Sequence, residues 1–346
     1  MKKSLLALAV LGAFAGVAQA QTSVTIYGSF DGGVRYQSNQ NAAGDSKWTM
    51  GSTGTYNSNR IGFKGVEDLG GGLNAHFALE TGFNTGTGEL NNATNQLFQR
   101  TASVGLGGAW GTVDLGRQYT VQFRTVAAYD PFNYKYTGII PTTGASISAG
   151  TRFNNDIQYT GVFGPVTARA EYALGEQVGS VSDGAAAALG VSYDNGPLSL
   201  GAAYTKRKPN LGTVAAPSFQ DNKDYTLGAS YKFSGFRVAG GWADEKQSQA
   251  AGSDIRTKNA WLGGSYDITP ASALTVAYYD TKFDTIGGVA GANGRKDLLI
   301  IGGTYALSKR TNFYADVDAA KFKDAAIPAT GKDRVTGVSV GINHLF

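Results

Sequence analysis

Apolar side chains recur at every second position through run after run of this chain, and that period of two constrains its fold more than any other feature. Val24, Ile26, Gly28 and Phe30 fall on one face, with Thr25, Tyr27, Ser29 and Asp31 on the other. Phe153, Ile157 and Tyr159 alternate with Arg152, Asn154, Asp156 and Gln158. Val166, Ala168, Ala170 and Tyr172 alternate with Thr167, Arg169 and Glu171. The pattern returns across 225–233, 274–278, 299–305 and 338–346. It predicts two-faced β-strands in a single all-β domain, with no helical period and no domain linker.

The first twenty residues stand apart. MKKSLLALAVLGAFAGVAQA carries two lysines, an apolar run from Leu5 to about Val17 and small residues at Ala18 and Ala20. That is the pattern of a secretory signal cleaved before Gln21, which predicts a leader over 1–20 and a mature domain over 21–346. Without Lys2 and Lys3, 28 of the 30 basic residues face 26 acidic ones. So near a balance gives no reason to expect a nucleic-acid partner. There is no cysteine, so no disulfide framework holds an exported fold together. Beyond the leader no apolar stretch approaches the roughly 20 residues of a membrane helix, whereas a transmembrane strand needs only about 9–11 residues with alternate positions apolar. The slightly negative mean hydropathy of −0.18 suits the second case.

Short links at 67–72, 107–111, 162–165, 194–197, 234–235 and 308–310 alternate with long polar ones near 37–55, 85–95, 120–150, 209–222, 248–256, 284–295 and 323–332. Short at one end and long at the other is the asymmetry of an outer-membrane barrel, and the count is about sixteen strands, with both chain ends on the short-turn side. A soluble sandwich also alternates, but its core favours Leu, Ile and Val over phenols. Here many apolar faces end near a turn in an aromatic residue: Tyr159, Tyr172, Tyr193, Tyr204, Tyr231, Tyr266, Tyr305 and Phe346. That is where an interfacial aromatic girdle sits, so the fold class expected is a transmembrane antiparallel β-barrel.

QTSVTIYGSFDGGV after the leader, NRIGFKGVEDLGGGLNAHFALETGF at 59–83, VGLGGAWGTVDLGRQY at 104–119, ALSKRTNFYA at 306–315 and the terminal GINHLF resemble the general porins of β-proteobacterial outer membranes. The resemblance runs from the mature start to the last residue. It implies a homotrimer of sixteen-stranded barrels, each with an inward-folded third loop that narrows the channel, and passive diffusion of ions and small hydrophilic solutes. It further implies contact with outer-membrane lipid and lipopolysaccharide, delivery by the barrel-assembly machinery through the terminal Phe346, and no cofactor.

The same resemblance implies a pore constriction. Arg60 in NRIGFKG, Arg100 in FQRTASVGL and Arg152 in TRFNND resemble its arginine wall, Glu80 in ALETGF resembles the carboxylate set among them, and Asp130 resembles the acid on the inward loop facing them. Local alternation agrees for three: Arg60 opposes Ile61 and Phe63, Glu80 opposes Leu79, and Arg152 opposes Phe153. Arg100 shares parity with Val104 and Leu106. Either a β-bulge intervenes, or Thr101, Ser103 and Gly105 face outward against another subunit, and the second is preferred because an arginine in lipid costs about 2–4 kcal/mol. Three arginines against Glu80 and Asp130 predict a mild preference for anions, unless Asp31, Asp156, Asp316 and Asp318 cancel it.

Catalysis and metal binding lack support. The chain has only His76 and His344, no cysteine and no GxSxG elbow, and Glu67 with Asp68 lies in a Gly-rich turn. A solute-specific channel would need a track of lumen aromatics, and Tyr27, Tyr279 and Tyr314 are scattered. A surface adhesin or phage receptor would use the long links without conducting.

Overall fold

The computed structural model describes residues 23–51, 54–92, 95–136 and 150–346, so the expected leader and the second half of the longest link lie outside the described residues. The strands are β1 (Ser23–Gln37), β2 (Lys47–Thr49), β3 (Arg60–Gly70), β4 (Leu73–Gly82), β5 (Thr101–Gly108) and β6 (Gly111–Tyr119). A short helix α1 (Val121–Val126) and a 3-10 turn (Ala127–Tyr129) follow. Then come β7 (Arg152–Phe163), β8 (Val166–Ala173), β9 (Ala186–Asn195), β10 (Leu198–Arg207), β11 (Asn222–Phe233) and β12 (Phe236–Gln247). The last five are β13 (Ile255–Thr269), β14 (Ser272–Thr285), β15 (Gly294–Ala306), β16 (Thr311–Asp324) and β17 (Arg334–Leu345).

Each long strand pairs antiparallel with its neighbours in sequence, and β2 is only a three-residue addition to β1 within the first long link. The remaining sixteen strands form a closed transmembrane barrel. Closure falls to β1, which pairs through 29–37 with β17 and through 23–29 with β3. Phe346 and Gly28 exchange backbone hydrogen bonds of 3.1 and 3.3 Å at the seam.

Alternation sorts the side chains as the sequence predicts. Val24, Val104, Leu227 and Leu262 are all more than half exposed on the outside, while Ser29, Asp31, Asp224 and Glu245 are fully buried on the other face. That is a soluble protein's pattern reversed, as lipid requires. Outward aromatics gather near the short turns, where Phe233 stacks on Phe236 at 5.5 Å and Phe236 on Tyr266 at 4.3 Å. Near the long links Tyr204 meets Tyr225 at 4.8 Å.

Two links passed over in the sequence are present, a long one at 174–185 and the short one at 270–271, where Thr269 Oγ1 accepts from the Ala271 and Ser272 amides. Two bulges also break the simple parity. The Arg100 amide donates to the Glu80 carbonyl although Glu80 is registered against Thr101, so two residues face one. Val104 and Leu106 stay exposed and Gly105 is buried, which corrects the expectation that Thr101, Ser103 and Gly105 turn outward. On β7 the register slips against β6 between Gly116 and Gln118, and Asn155 takes a left-handed φ of 53°. Phe153 therefore packs inside with Ala173 and Ala186, not outside as simple alternation had it.

The seam generates a stability prediction. A Cβ on Gly28 would stand 2.5 Å from the Arg60 carbonyl oxygen and 2.4 Å from the Phe346 ring, whereas one on Gly32 meets nothing within 4 Å. Gly28→Leu is therefore predicted to destabilise the barrel by about 1–3 kcal/mol, the usual cost of overpacking, and Gly32→Ala to leave it unchanged. The measurement is the temperature at which the compact form converts to the unfolded form on detergent gels. Equal midpoints for parent and Gly28→Leu would show that the seam has room to spare.

Candidate functional site

Strand pairing brings three of the five expected residues together around one carboxylate. Glu80 on β4 is registered against Gly62, which places Arg60, two residues along β3, on the same inner face. Arg60 Nε lies 3.5 Å from Glu80 Oε2, and its Nη1 donates to Asn57 Oδ1 and the Ser58 carbonyl, both at 3.2 Å. The bulge turns Arg100 inward, and its Nε donates to Glu80 Oε1 at 2.5 Å. Both Glu80 and Arg100 are buried, so the pair is only partly screened by water.

Tyr119, at the end of β6, extends this cluster to Arg152. Its hydroxyl accepts from Arg100 Nη2 at 2.8 Å, and its ring lies under the Arg152 guanidinium with 4.0 Å from ring centroid to Cζ. The other side of the ring system is braced by Phe123 of α1, stacked at 4.4 Å. Arg152 Nε is buried with no hydrogen-bond partner among the described residues, and Arg100, Glu80 and Arg117 lie within its electrostatic reach. One carboxylate thus pairs with Arg60 and Arg100, with Arg152 beside them.

Asp130, expected as the acid on the inward link facing the arginines, takes its hydrogen bonds from Tyr279 and from its own link. Its Oδ1 accepts from the Tyr279 hydroxyl at 2.6 Å, and its Oδ2 accepts from the Phe132 and Tyr134 amides at 3.0 and 2.9 Å. It is fully buried, and burial outweighs these hydrogen bonds, so its carboxyl is pushed up to about 6. The backbone around it is held too: Arg237 donates to the carbonyls of Ala128, Asp130 and Pro131, and Trp261 Nε1 donates to the Tyr129 carbonyl at 3.0 Å.

This link also brings a cation toward Arg60, Lys135, which the sequence reading missed. Its Nζ lies 5.4 Å from the centroid of the Tyr56 ring, within electrostatic reach of Arg60 and Asp31. Burial, and then the Arg60 charge, push its ammonium down to about 8. The only hint in the sequence was a lysine set among aromatics in FNYKY.

Three of the four acids that were candidates for cancelling the positive charge are engaged, while Asp156 accepts from Gln158 Nε2 at 3.4 Å and keeps Oδ1 without a hydrogen-bond partner among the described residues. Asp31 accepts from the Tyr314 hydroxyl at 2.7 Å and from the Asn57 amide at 2.8 Å. Asp318 lies 2.7 Å from Arg35 and Asp316 lies 3.7 Å from it. His76 Nε2 meets Asp114 at 2.8 Å, a partnered pair with no nucleophile assigned to it. No group of three or more His, Cys, Asp or Glu side chains among the described residues is arranged to hold a metal.

Comparison with known proteins follows this geometry. A family model described as Gram-negative porin matches residues 7–325. Outer membrane porin protein 32 of Delftia acidovorans is 36% identical, with both chains covered in full. An outer membrane porin protein of Bordetella pertussis is 30% identical, again over the whole of both. Among solved structures, an anion-selective porin from Comamonas acidovorans superposes with a TM-score of 0.80 at 31% identity, covering 94% of this chain and 100% of that one. OmpT of Vibrio cholerae, at 14% identity and a TM-score of 0.70 over 95% of this chain and 100% of that one, shares the fold.

Lys135 makes the local electrostatics testable. Its amine is predicted to be acylated with a pH midpoint near 8, against about 10.4 for an ordinary lysine. Below that midpoint it is charged, and as pH rises through it the charge is lost. Arg60→Gln removes one of the charges that hold the midpoint down and should raise it. Mass spectrometry of the labelled 135 peptide in folded protein gives the reading, and a midpoint near 10 in the parent would contradict the buried placement.

Proposed function

Because the chain belongs to the Gram-negative porin family, we propose that its charged lumen passes anions in preference to cations, through a constriction formed by Arg60, Arg100 and Arg152 around Glu80. The protein is a general diffusion porin of the bacterial outer membrane, a channel and not an enzyme. What carries the anion preference is the pairing at Glu80: one carboxylate is shared by Arg60 and Arg100, with Arg152 beside them. The likeness to a porin whose own description is anion-selective points the same way.

The link after β6 is the third long link, and in this reading it folds inward to narrow the path. Its support is the set of contacts between 121–136 and the wall. Gln122 Nε2 donates to Thr226 at 3.0 Å, the Tyr129 ring lies against Gly201 and Gly228, and the Tyr136 amide donates to the Tyr56 carbonyl at 2.7 Å. Lys135 then gives the loop a cation near Arg60, while Asp130 spends its charge on the wall. The same proposal includes removal of residues 1–20 on export, assembly as a homotrimer in contact with lipopolysaccharide, and Phe346 as the group read by the assembly machinery.

Two measurements bear on this. The reversal potential under a KCl gradient should report a mild anion preference, and Arg60→Ser, Arg100→Ser and Arg152→Ser should each lower it. Removing a unit charge about 10 Å from the ion path is worth about 0.4–1.7 kcal/mol between water-like and surface-like screening, a factor of about 2–17 in permeability ratio. A cation-selective parent, or three variants with unchanged potentials, would refute the arginine wall. Separately, Tyr279→Phe with Trp261→Phe removes two anchors of the loop, each worth about 0.5–1.5 kcal/mol, and should raise single-channel conductance and its noise. Unchanged conductance in folded protein would place the loop outside the path.

A further inference from the structure

Beside Tyr136, a cavity of about 550 Å³ lies between that residue and the wall of β1, β15, β16 and β17. It is open toward the long-link end, where Asn39, Gln40 and Pro328 contribute to its rim. Its middle is apolar, lined by Leu298, Ile300, Ala320, Phe322 and Val335. Leu298 and Ile300 are unusual for a channel lining, since Leu299 and Ile301 already supply the lipid-facing side of the same strand. Leu298 and Ile300 pack with Tyr136 of the link, and Ala320, Phe322 and Val335 carry the apolar lining on past it.

Charge is segregated along this strip. The register sets Lys296 opposite Phe322, Leu298 opposite Ala320, Ile300 opposite Asp318 and Gly302 opposite Asp316. Lys296 and Asp316 are therefore six residues apart along the strand direction, about 20 Å at the usual rise. At the inner end Arg35 is occupied by Asp318 at 2.7 Å, Asp316 at 3.7 Å and Ser339 Oγ at 2.8 Å. At the outer end Lys296 has no carboxylate within salt-bridge distance among the described residues, and its Nζ sits 5.9 Å from the centroid of the Phe322 ring. The carboxylate within its electrostatic reach, Asp318, is already paired with Arg35, so this half-buried ammonium beside an apolar track is short of counter-charge, which an anion with an apolar body supplies.

We propose that this cavity is a subsite for amphiphilic monocarboxylates of about five to eight carbons, with the carboxylate on Lys296 Nζ and the hydrocarbon along Phe322, Ala320, Leu298 and Ile300. It rests on the reading of the lumen as a solute path. A dicarboxylate fits poorly because its second charge would lie on the apolar strip or approach Asp318. A short anion such as acetate meets the ammonium but leaves the strip uncovered.

Titration calorimetry on detergent-solubilised protein tests this with hexanoate, acetate and hexanamide as probes. Hexanoate should bind saturably, with acetate at least about tenfold weaker because it loses the burial of four methylenes, and hexanamide weaker again for want of charge. Lys296→Met, which keeps the stem, should weaken hexanoate by about tenfold or more; Leu298→Asn should narrow the gap between hexanoate and acetate. Equal affinity for hexanoate and acetate, or a Lys296→Met protein that binds hexanoate like the parent, would overturn the subsite. Should a variant fail to fold, the probe series on the parent alone decides. KCl conductance of the parent is recorded independently, so a missing current refutes the channel reading and a missing chain-length dependence refutes only the subsite.

Discussion

Every backbone amide and carbonyl that crosses the hydrocarbon layer must find a partner within the protein, because each one left open there costs several kcal/mol. An open sheet cannot meet that demand at its two edges, and this chain meets it by making β1 serve both. The seam is tight. Gly28 lets the Phe346 ring and the Arg60 carbonyl approach where a side chain would collide, and Arg60 begins the strand that carries the first guanidinium of the charged cluster. Barrel closure and the position of that charge are thus the same piece of geometry.

Closure also decides what fills the inside. Outward positions in the middle of the strands are taken largely by Val, Leu, Ile and aromatics, so most of the polar and charged residues there face inward and must satisfy one another or a loop. The link from 121 to 136 completes the set by bringing Val126, Phe132, Tyr134 and Tyr136 against Trp261, Tyr279, Leu298, Ile300 and Tyr314. Gly201 and Gly228 serve as a socket here, since a Cβ at either would lie 2.4 Å from the Tyr129 ring. The lumen tyrosines that look scattered in sequence are therefore anchors: Tyr279 holds Asp130, and Tyr314 holds Asp31 and stacks on Tyr56 at 5.0 Å.

Strands and barrel class were legible because a period of two with turn residues at both ends is a local signal, and Arg60 and Glu80 inherited their direction from it. Direction failed where one extra residue entered. The bulge at Arg100 and the left-handed Asn155 each shift parity by one, and neither leaves a trace in composition. Asp130 and Lys135 failed for a different reason. Their orientation depends on Arg237, Trp261, Tyr279 and Tyr56, residues 75 or more positions away that only the closed barrel brings to the link. The short link at 270–271 and the long one at 174–185 were also passed over.

The proposed anion preference follows from how the lumen distributes unsatisfied charge, more than from how many charges it holds. Near the arginine cluster the acids are taken up: Asp31 and Asp130 accept from phenols and amides, Asp316 and Asp318 meet Arg35, and Glu80 is shared between two guanidiniums. Arg152 relies on the Tyr119 ring and Lys135 on the Tyr56 ring, contacts that stabilise a cation by about 0.5–2 kcal/mol without cancelling its field. An aromatic face holds a positive charge in place while leaving it visible to a passing ion, and a carboxylate does not. Placing tyrosines, not acids, against Arg152 and Lys135 is therefore what leaves a positive path beside Glu80.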